Sequence, residues 1–291
     1  MKEYGRINAC TIDLEEWYQG LTSANRHPER WESLESRAGE ATETVLALLR
    51  AHNVRATCFV LGALAERQPA LIARICDAGH EIALHGHLHR RVDGMTPAAF
   101  GEELERGLDA VWRAVRVRPC GHRAPYFSLR RDMGWAFTAL EERGFRYDSS
   151  IFPARTTLYG DPSAPRLPYR VPGLALVEFP ITTLRAGGRN WPAAGGFYTR
   201  ALPLAVTRRA IHQVNAAGGP AVLYLHPWEL DTGQRYPHVT PRERLTHYAG
   251  RRGLGQKLAV LFEEFRFAPL AELHALWNAG DQSPQTSTEA K

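Results

Sequence analysis

Glu81-Ile82-Ala83-Leu84-His85-Gly86-His87-Leu88-His89 holds the decisive pattern of this sequence. Glu81 to Leu84 has the short, apolar character of a buried strand, and three of the chain's twelve histidines follow within five residues. His85 and His89 are four apart, so one helical turn after the strand would put both imidazoles on one face, toward a single cation. His87 would then face away and read as a supporting or surface group. A histidine run can also be mere surface, so where the strand exit lies in the fold matters.

Outward from this stretch the same unit repeats. Ile7 to Asp13 reads as a first buried strand and Ala56 to Leu61 as a second, with Cys120 to Ala124, Leu176 to Phe179 and Ala221 to Leu225 as further candidates. Between them lie helical patterns. Thr42 is a candidate cap for Glu43 to Ala51, and Pro69 to Ala78 closes at Gly79. Pro97 to Val115, Arg131 to Arg143, Pro203 to Ala216, Leu254 to Phe265 and Ala271 to Trp277 follow. Ile151 to Pro172 is rich in Pro, Gly and Ser and has no helical period. Alternating β and α units with near-continuous apolar strands specify an α/β fold around a parallel sheet, doubly wound or closed as a barrel. Both architectures collect their active sites where strands end.

The chemically loaded residues fall at those ends. Asp13-Leu14-Glu15-Glu16-Trp17 leaves the first strand, and if the extended chain persists, Asp13 and Glu15 share a side while Glu16 points away. Gly121-His122-Arg123-Ala124-Pro125 offers an arginine suited to holding a carboxylate bidentately. Tyr147-Asp148-Ser149-Ser150 and Leu225-His226-Pro227-Trp228-Glu229 complete the set. Carboxylates, a histidine pair, an arginine and a lone histidine on one rim are what metal-assisted hydrolysis requires. Trp17, Tyr126, Phe127, Trp191 and Trp228 stand beside these motifs as candidate sugar-stacking groups.

Composition narrows the class. The 291 residues are 44% hydrophobic and 23% charged, with a net charge of +5, which excludes disordered and disulfide-scaffold chains. The basic balance comes from 33 arginines against three lysines, spread along the chain, and does not predict nucleic-acid binding. Cys10, Cys58, Cys76 and Cys120 lie far apart and read as reduced core residues. No apolar run reaches the length of a membrane span, and the polar start lacks the apolar stretch of a signal peptide, so a cytoplasmic protein is expected.

In their order along the chain, these motifs resemble the polysaccharide deacetylases of carbohydrate esterase family four, the NodB-homology group, over roughly residues 7–229. More narrowly the chain is similar to the subgroup encoded with bacterial exopolysaccharide and exosortase systems. The stretches that carry this are Asp13 to Trp17, Tyr147-Asp148-Ser149-Ser150-Ile151-Phe152-Pro153, Gly195-Gly196-Phe197-Tyr198 and His226-Pro227-Trp228-Glu229-Leu230-Asp231. The resemblance implies a distorted (β/α) barrel of parallel strands with outer helices. It implies a single domain over 1–277, with a family-specific extension from about 191; the polar residues at the end read as a disordered tail over 278–291. It also implies a divalent cation, usually zinc, and hydrolysis of N-acetyl groups on amino sugars.

Carried over by motif, His85 and His89 would be metal ligands, Asp13 the general base, Arg123 its orienting partner, and His226 the general acid tuned by Asp148. Many relatives have two adjacent aspartates, whereas Leu14 follows Asp13 here. Strand parity favours Glu15 as the third ligand and leaves Glu16 open. The expected partner is an N-acetylated glycan or lipid-linked oligosaccharide. Two rivals differ in substrate or class: an allantoinase- or formamidase-like hydrolase of small amides, and a catalytically silent sugar-binding module. Oligomeric state is not written in the residues.

Overall fold

Along β1 (Ile7–Leu14), alternate residues belong to two different cores. Cys10, Ile12 and Leu14 pack outward against helices, while Ala9 faces an inner core shared with Phe59, Ala83, Val177 and Val222. This two-sided burial is the signature of a strand within a curled parallel sheet, and it sets which residues of every strand point inward. The computed structural model describes residues 6–20, 22–23, 27–236 and 239–281.

After β1, in chain order, come α1 (Ala38–Ala51), β2 (Thr57–Val60), α2 (Gly62–Arg67), α3 (Pro69–Asp77), β3 (Glu81–Leu84), α4 (Pro97–Val115), β4 (Gly121–His122), α5 (Gly134–Glu142) and β5 (Tyr147–Asp148). The second half holds β6 (Tyr169–Arg170), β7 (Val177–Glu178), β8 (Thr183–Ala186), β9 (Arg189–Pro192), α6 (Gly196–Ala201), α7 (Leu204–Ala216), β10 (Val222–Leu225), α8 (Pro241–Tyr248), α9 (Arg251–Glu264), β11 (Arg266–Ala268) and α10 (Leu270–Asp281). The main sheet runs β10-β1-β2-β3-β4-β5-β7-β6, and all its pairs are parallel except β6 with β7. β11 pairs the first half of β1, ahead of the point where β2 takes over at Thr11. Beyond β7, Thr182 exchanges hydrogen bonds with Val222 of β10 (3.2 and 2.8 Å), drawing the open edge of the sheet toward closure. The result is the expected distorted (β/α) barrel.

Several local expectations shift. Thr42 does not cap α1; the helix begins at Ala38, and Thr42 is buried within it. α10 continues to Asp281, four residues into the segment expected to be a tail, and 282–291 lie outside the described residues. The β8–β9 hairpin adds to the expected elements, with Gly187-Gly188, both at positive φ, as the two-residue turn between its paired strands.

Candidate active site

Inward parity, continued past the strand ends, assembles the site. On β1 the inward set Ala9, Thr11 and Asp13 leads to Glu15; on β3 Ala83 leads to His85; on β10 Val222 and Tyr224 lead to His226. Arg123, two residues beyond Gly121, enters from β4. Asp13, Glu15, His85, His89 and His226 thus line one pocket of about 70 Å³, room for several waters or a small acyl group. Phe127, Tyr159, Phe197, Tyr224 and Trp228 form its aromatic walls.

His85 and His89 do converge, but not on a helical turn. The chain from His85 to His89 is a loop, with Gly86 at φ 76° and His89 itself at φ 52°. Such a conformation costs a non-glycine residue on the order of 1 kcal/mol or more and persists only where its surroundings enforce it. Tyr126, whose ring packs 4.5 Å from that of His89, and Phe127 are likewise left-handed (φ 57° and 49°). His87 is not a surface group: it is buried against Gly62, and His122 is likewise buried, under Phe100.

One donor atom each from Glu15, His85 and His89 lies within 4.8 Å of the others. Glu15 Oε2 is 2.7 Å from His89 Nε2. His85 Nδ1 is 2.8 Å from the carbonyl oxygen of Arg123, to which it donates in the tautomer that leaves Nε2 a lone pair. Burial, with His89 nearby, holds the His85 pKa well below the ordinary imidazole range, which favours the neutral, ligating form. His89 Nδ1 is buried without a hydrogen-bond partner among the described residues. Two imidazoles and a carboxylate fit a divalent cation of zinc's type with coordination positions to spare. Glu16 points away, its carboxylate accepting from Ser36 Oγ and the Arg37 amide, so Glu15 is the carboxylate of this cluster.

Asp13 stands beside the triad. Arg123 Nη1 donates to Asp13 Oδ1 at 2.6 Å and to Thr11 Oγ1 at 2.8 Å. The remaining guanidinium donors bind Ser149 through its carbonyl and hydroxyl oxygens, both at 2.9 Å, and the fork lies 4.1 Å above the Phe59 ring. Four of the five N–H donors are committed, so the arginine fixes Asp13 rather than roaming the pocket. His226 Nε2 lies 3.9 Å from Asp13 Oδ2 and 3.7 Å from Glu15 Oε1, and its ring stacks on Trp228.

The expected partnership of Asp148 with His226 does not form. Tyr147 takes the inward position on β5, so Asp148 points to the outer face, beneath the helices. There it bonds His122 Nδ1 at 2.7 Å and the Ser150 amide and hydroxyl. Against the opposing effect of burial, His122 holds the Asp148 carboxyl below its ordinary range, while burial and the Asp148 charge push neighbouring Glu178 well above it.

The carboxylate that holds His226 is Glu229. Its Oε2 accepts from the His226 amide at 2.9 Å and contacts Nδ1 at 3.2 Å, while Oε1 is gripped by Arg200 Nε at 2.5 Å. Burial works against ionisation of Glu229, yet Arg200 and His226 bring its pKa down to about 2. Burial alone would lower His226; Glu15, Glu229 and Asp13 instead raise it to about 9. The sequence alone assigns Glu229 no role. Its spacing of three from His226 across Pro227 was the available signal, whereas nothing local marks Arg200 as its partner.

Two family profiles match the chain: polysaccharide deacetylase over residues 33–147 and a domain of unknown function, DUF3473, over 149–275. The second begins well before 191, and Asp13 and Glu15 precede both. The chitooligosaccharide deacetylase of Bradyrhizobium sp. (strain ANU 289) is 37% identical over 93 residues, 32% of this chain and 42% of that protein. The chain spans 30% to 42% of the length of the first three curated relatives. Two crystal structures share the fold across nearly the whole chain. A Mycobacterium smegmatis protein provisionally described as a polysaccharide deacetylase has TM-score 0.68 at 22% identity, covering 100% of this chain and 97% of its own. Puue allantoinase has TM-score 0.62 at 18% identity, covering 98% and 94%. By these matches, residues 33–147 carry a polysaccharide deacetylase domain and residues 149–275 match DUF3473.

Proposed function

We propose that this protein is a metal-dependent hydrolase that removes N-acetyl groups from the amino sugars of a bacterial exopolysaccharide or its precursor. The observation that carries the reading is the meeting of Glu15, His85 and His89 beside an arginine-fixed aspartate and a carboxylate-held histidine in one pocket. A silent sugar-binding module would need neither a water-activating site nor a proton donor.

A divalent cation, which we take to be zinc, held by Glu15, His85 and His89 would act as a Lewis acid that makes water a nucleophile near neutral pH and polarises the acetyl carbonyl. Asp13 accepts the proton of the attacking water as the C–O bond forms, with Arg123 keeping its free oxygen aimed into the pocket. His226 then gives its proton to the departing sugar nitrogen as the C–N bond breaks, so that acetate and a free amine leave. A cation on Glu15 withdraws that carboxylate's pull on His226, but Glu229, backed by Arg200, still favours the protonated ring. The aromatic walls exclude bulk water from the reacting groups.

Acetate release from acetylated amino-sugar oligomers, with and without chelator, tests the reading, comparing the parent with Asp13→Asn and His226→Ala. Parental turnover in both variants would mean the roles are wrong, and turnover of allantoin in place of the oligomers would move the activity to small amides. We further infer a cytoplasmic site of action on a lipid-linked or unfinished glycan; recovery of the native protein from a periplasmic fraction would refute this.

A further inference from the structure

Arg155, Arg185, Arg189, Asn190 and Trp191 line an open cleft of about 540 Å³ at the β8–β9 hairpin, apart from the catalytic pocket. Trp191 is 51% exposed, with its indole N–H tied to the Ala186 carbonyl at 3.2 Å, so the ring is anchored at one edge while half its surface meets solvent. Arg185 donates to Asn190 Oδ1 at 3.1 Å. Among the described residues none of the three arginines has an ion-pair partner, whereas Arg55, Arg74, Arg131 and Arg208 elsewhere on the surface each hold a carboxylate.

Behind the hairpin, Arg166 donates to the Thr183 carbonyl and hydroxyl, and burial together with Arg185 keeps its pKa below the ordinary value. Three guanidinium groups line a cleft with no acid among its described lining residues, with Arg166 behind it, and Asp161, next to Pro162, is taken up by Arg131, so the cleft favours anions.

An indole face takes the apolar face of a pyranose ring, and guanidinium forks match carboxylates in two parallel hydrogen bonds. Both features in one cleft select a sugar that carries a carboxylate. Arg155 and Pro162 belong to this cleft, while Tyr159 between them lines the catalytic pocket, so one segment of chain borders both sites. Single-stranded nucleic acid is the weaker occupant, because it is held by successive aromatic platforms and this cleft has one.

We propose that the hairpin cleft is a subsite for an acidic sugar on the same glycan chain that presents its N-acetyl group to the catalytic pocket. The choice of a saccharide rests on the deacetylase reading; the charge preference does not. Calorimetric titration of the full chain with a hyaluronan hexasaccharide, alternating N-acetylglucosamine and glucuronate, and with neutral chitohexaose tests it. The parent binds the acidic hexamer at least about tenfold more tightly, Arg185→Ala/Arg189→Ala abolishes that preference, and Trp191→Ala weakens both ligands while Trp191→Phe restores most of the loss. Unchanged thermal unfolding shows that the hairpin variants remain folded. No preference in the parent, preference retained in the arginine pair variant, or equal displacement by an oligouridylate would overturn the proposal. Acetate release measured in parallel reports on the catalytic reading alone, so loss of turnover with intact preference sinks the deacetylase and leaves the cleft.

Discussion

Glu229 holds His226 at two points, through the backbone amide at 2.9 Å and through Nδ1 at 3.2 Å, and is itself anchored by Arg200. A proton donor must be charged before it acts, and this carboxylate is one of three that raise His226 to about 9. With a cation on Glu15 the value lies below this, and activity that needs the protonated ring falls as pH rises through it. Glu229→Gln removes part of the support, so the basic limb of the kcat profile moves to lower pH and kcat falls by about 10- to 100-fold. Rate measurements from pH 6 to 10 check this; an unmoved limb would detach Glu229 from the donor.

Asp148 supplies the contrast. Its bond to His122 lies on the outer face of the sheet, sealed under Phe100 and Phe145. Asp148→Asn weakens a buried charged hydrogen bond and costs about 2–3 kcal/mol of stability. The shape of the pH–rate profile should stay parental in the folded fraction. Denaturant unfolding alongside the profile separates the two roles, and a shifted basic limb with parental stability would return Asp148 to the donor.

The difference between these two carboxylates also marks how far the sequence could be read. The strand was legible from Ile7 to Asp13, and strand parity put Asp13 and Glu15 on one side, which proves to be the inner one. The same rule applied to β5 turns Asp148 outward once Tyr147 is known to face in, but two residues of strand carry no readable period. The loop that brings His89 back beside His85 depends on left-handed backbone at Gly86 and His89, and only the glycine advertises it. Arg200 meets Glu229 across 29 positions, through tertiary packing with no local pattern behind it.

The cation site has its own test. If Glu15, His85 and His89 hold a divalent cation, zinc binds the folded chain and not the unfolded one, and a hundredfold excess over Kd adds about 2.7 kcal/mol of stability. The parent should melt at higher temperature with added zinc and lose that gain with chelator. Glu15→Gln and His89→Ala should melt at the same temperature with or without the metal. A zinc response retained in both variants would place the bound ion elsewhere.

His247 sets a limit on acid stability. It is fully buried between Trp228 and Tyr236, with neither ring nitrogen hydrogen-bonded among the described residues. Burial, reinforced by Arg200 and Arg251, lowers its pKa to about 4. Between that value and the ordinary one near 6.5, the unfolded chain takes up a proton that the folded chain refuses. Stability therefore rises with pH across this window and is lost as pH falls through it, by on the order of 3 kcal/mol in the limit. His247→Phe keeps an aromatic ring between Trp228 and Tyr236 and removes the titration. Urea unfolding at pH 5 and pH 7.5 should show a smaller pH difference in the variant than in the parent, and equal differences would show that His247 takes no part in the acid response.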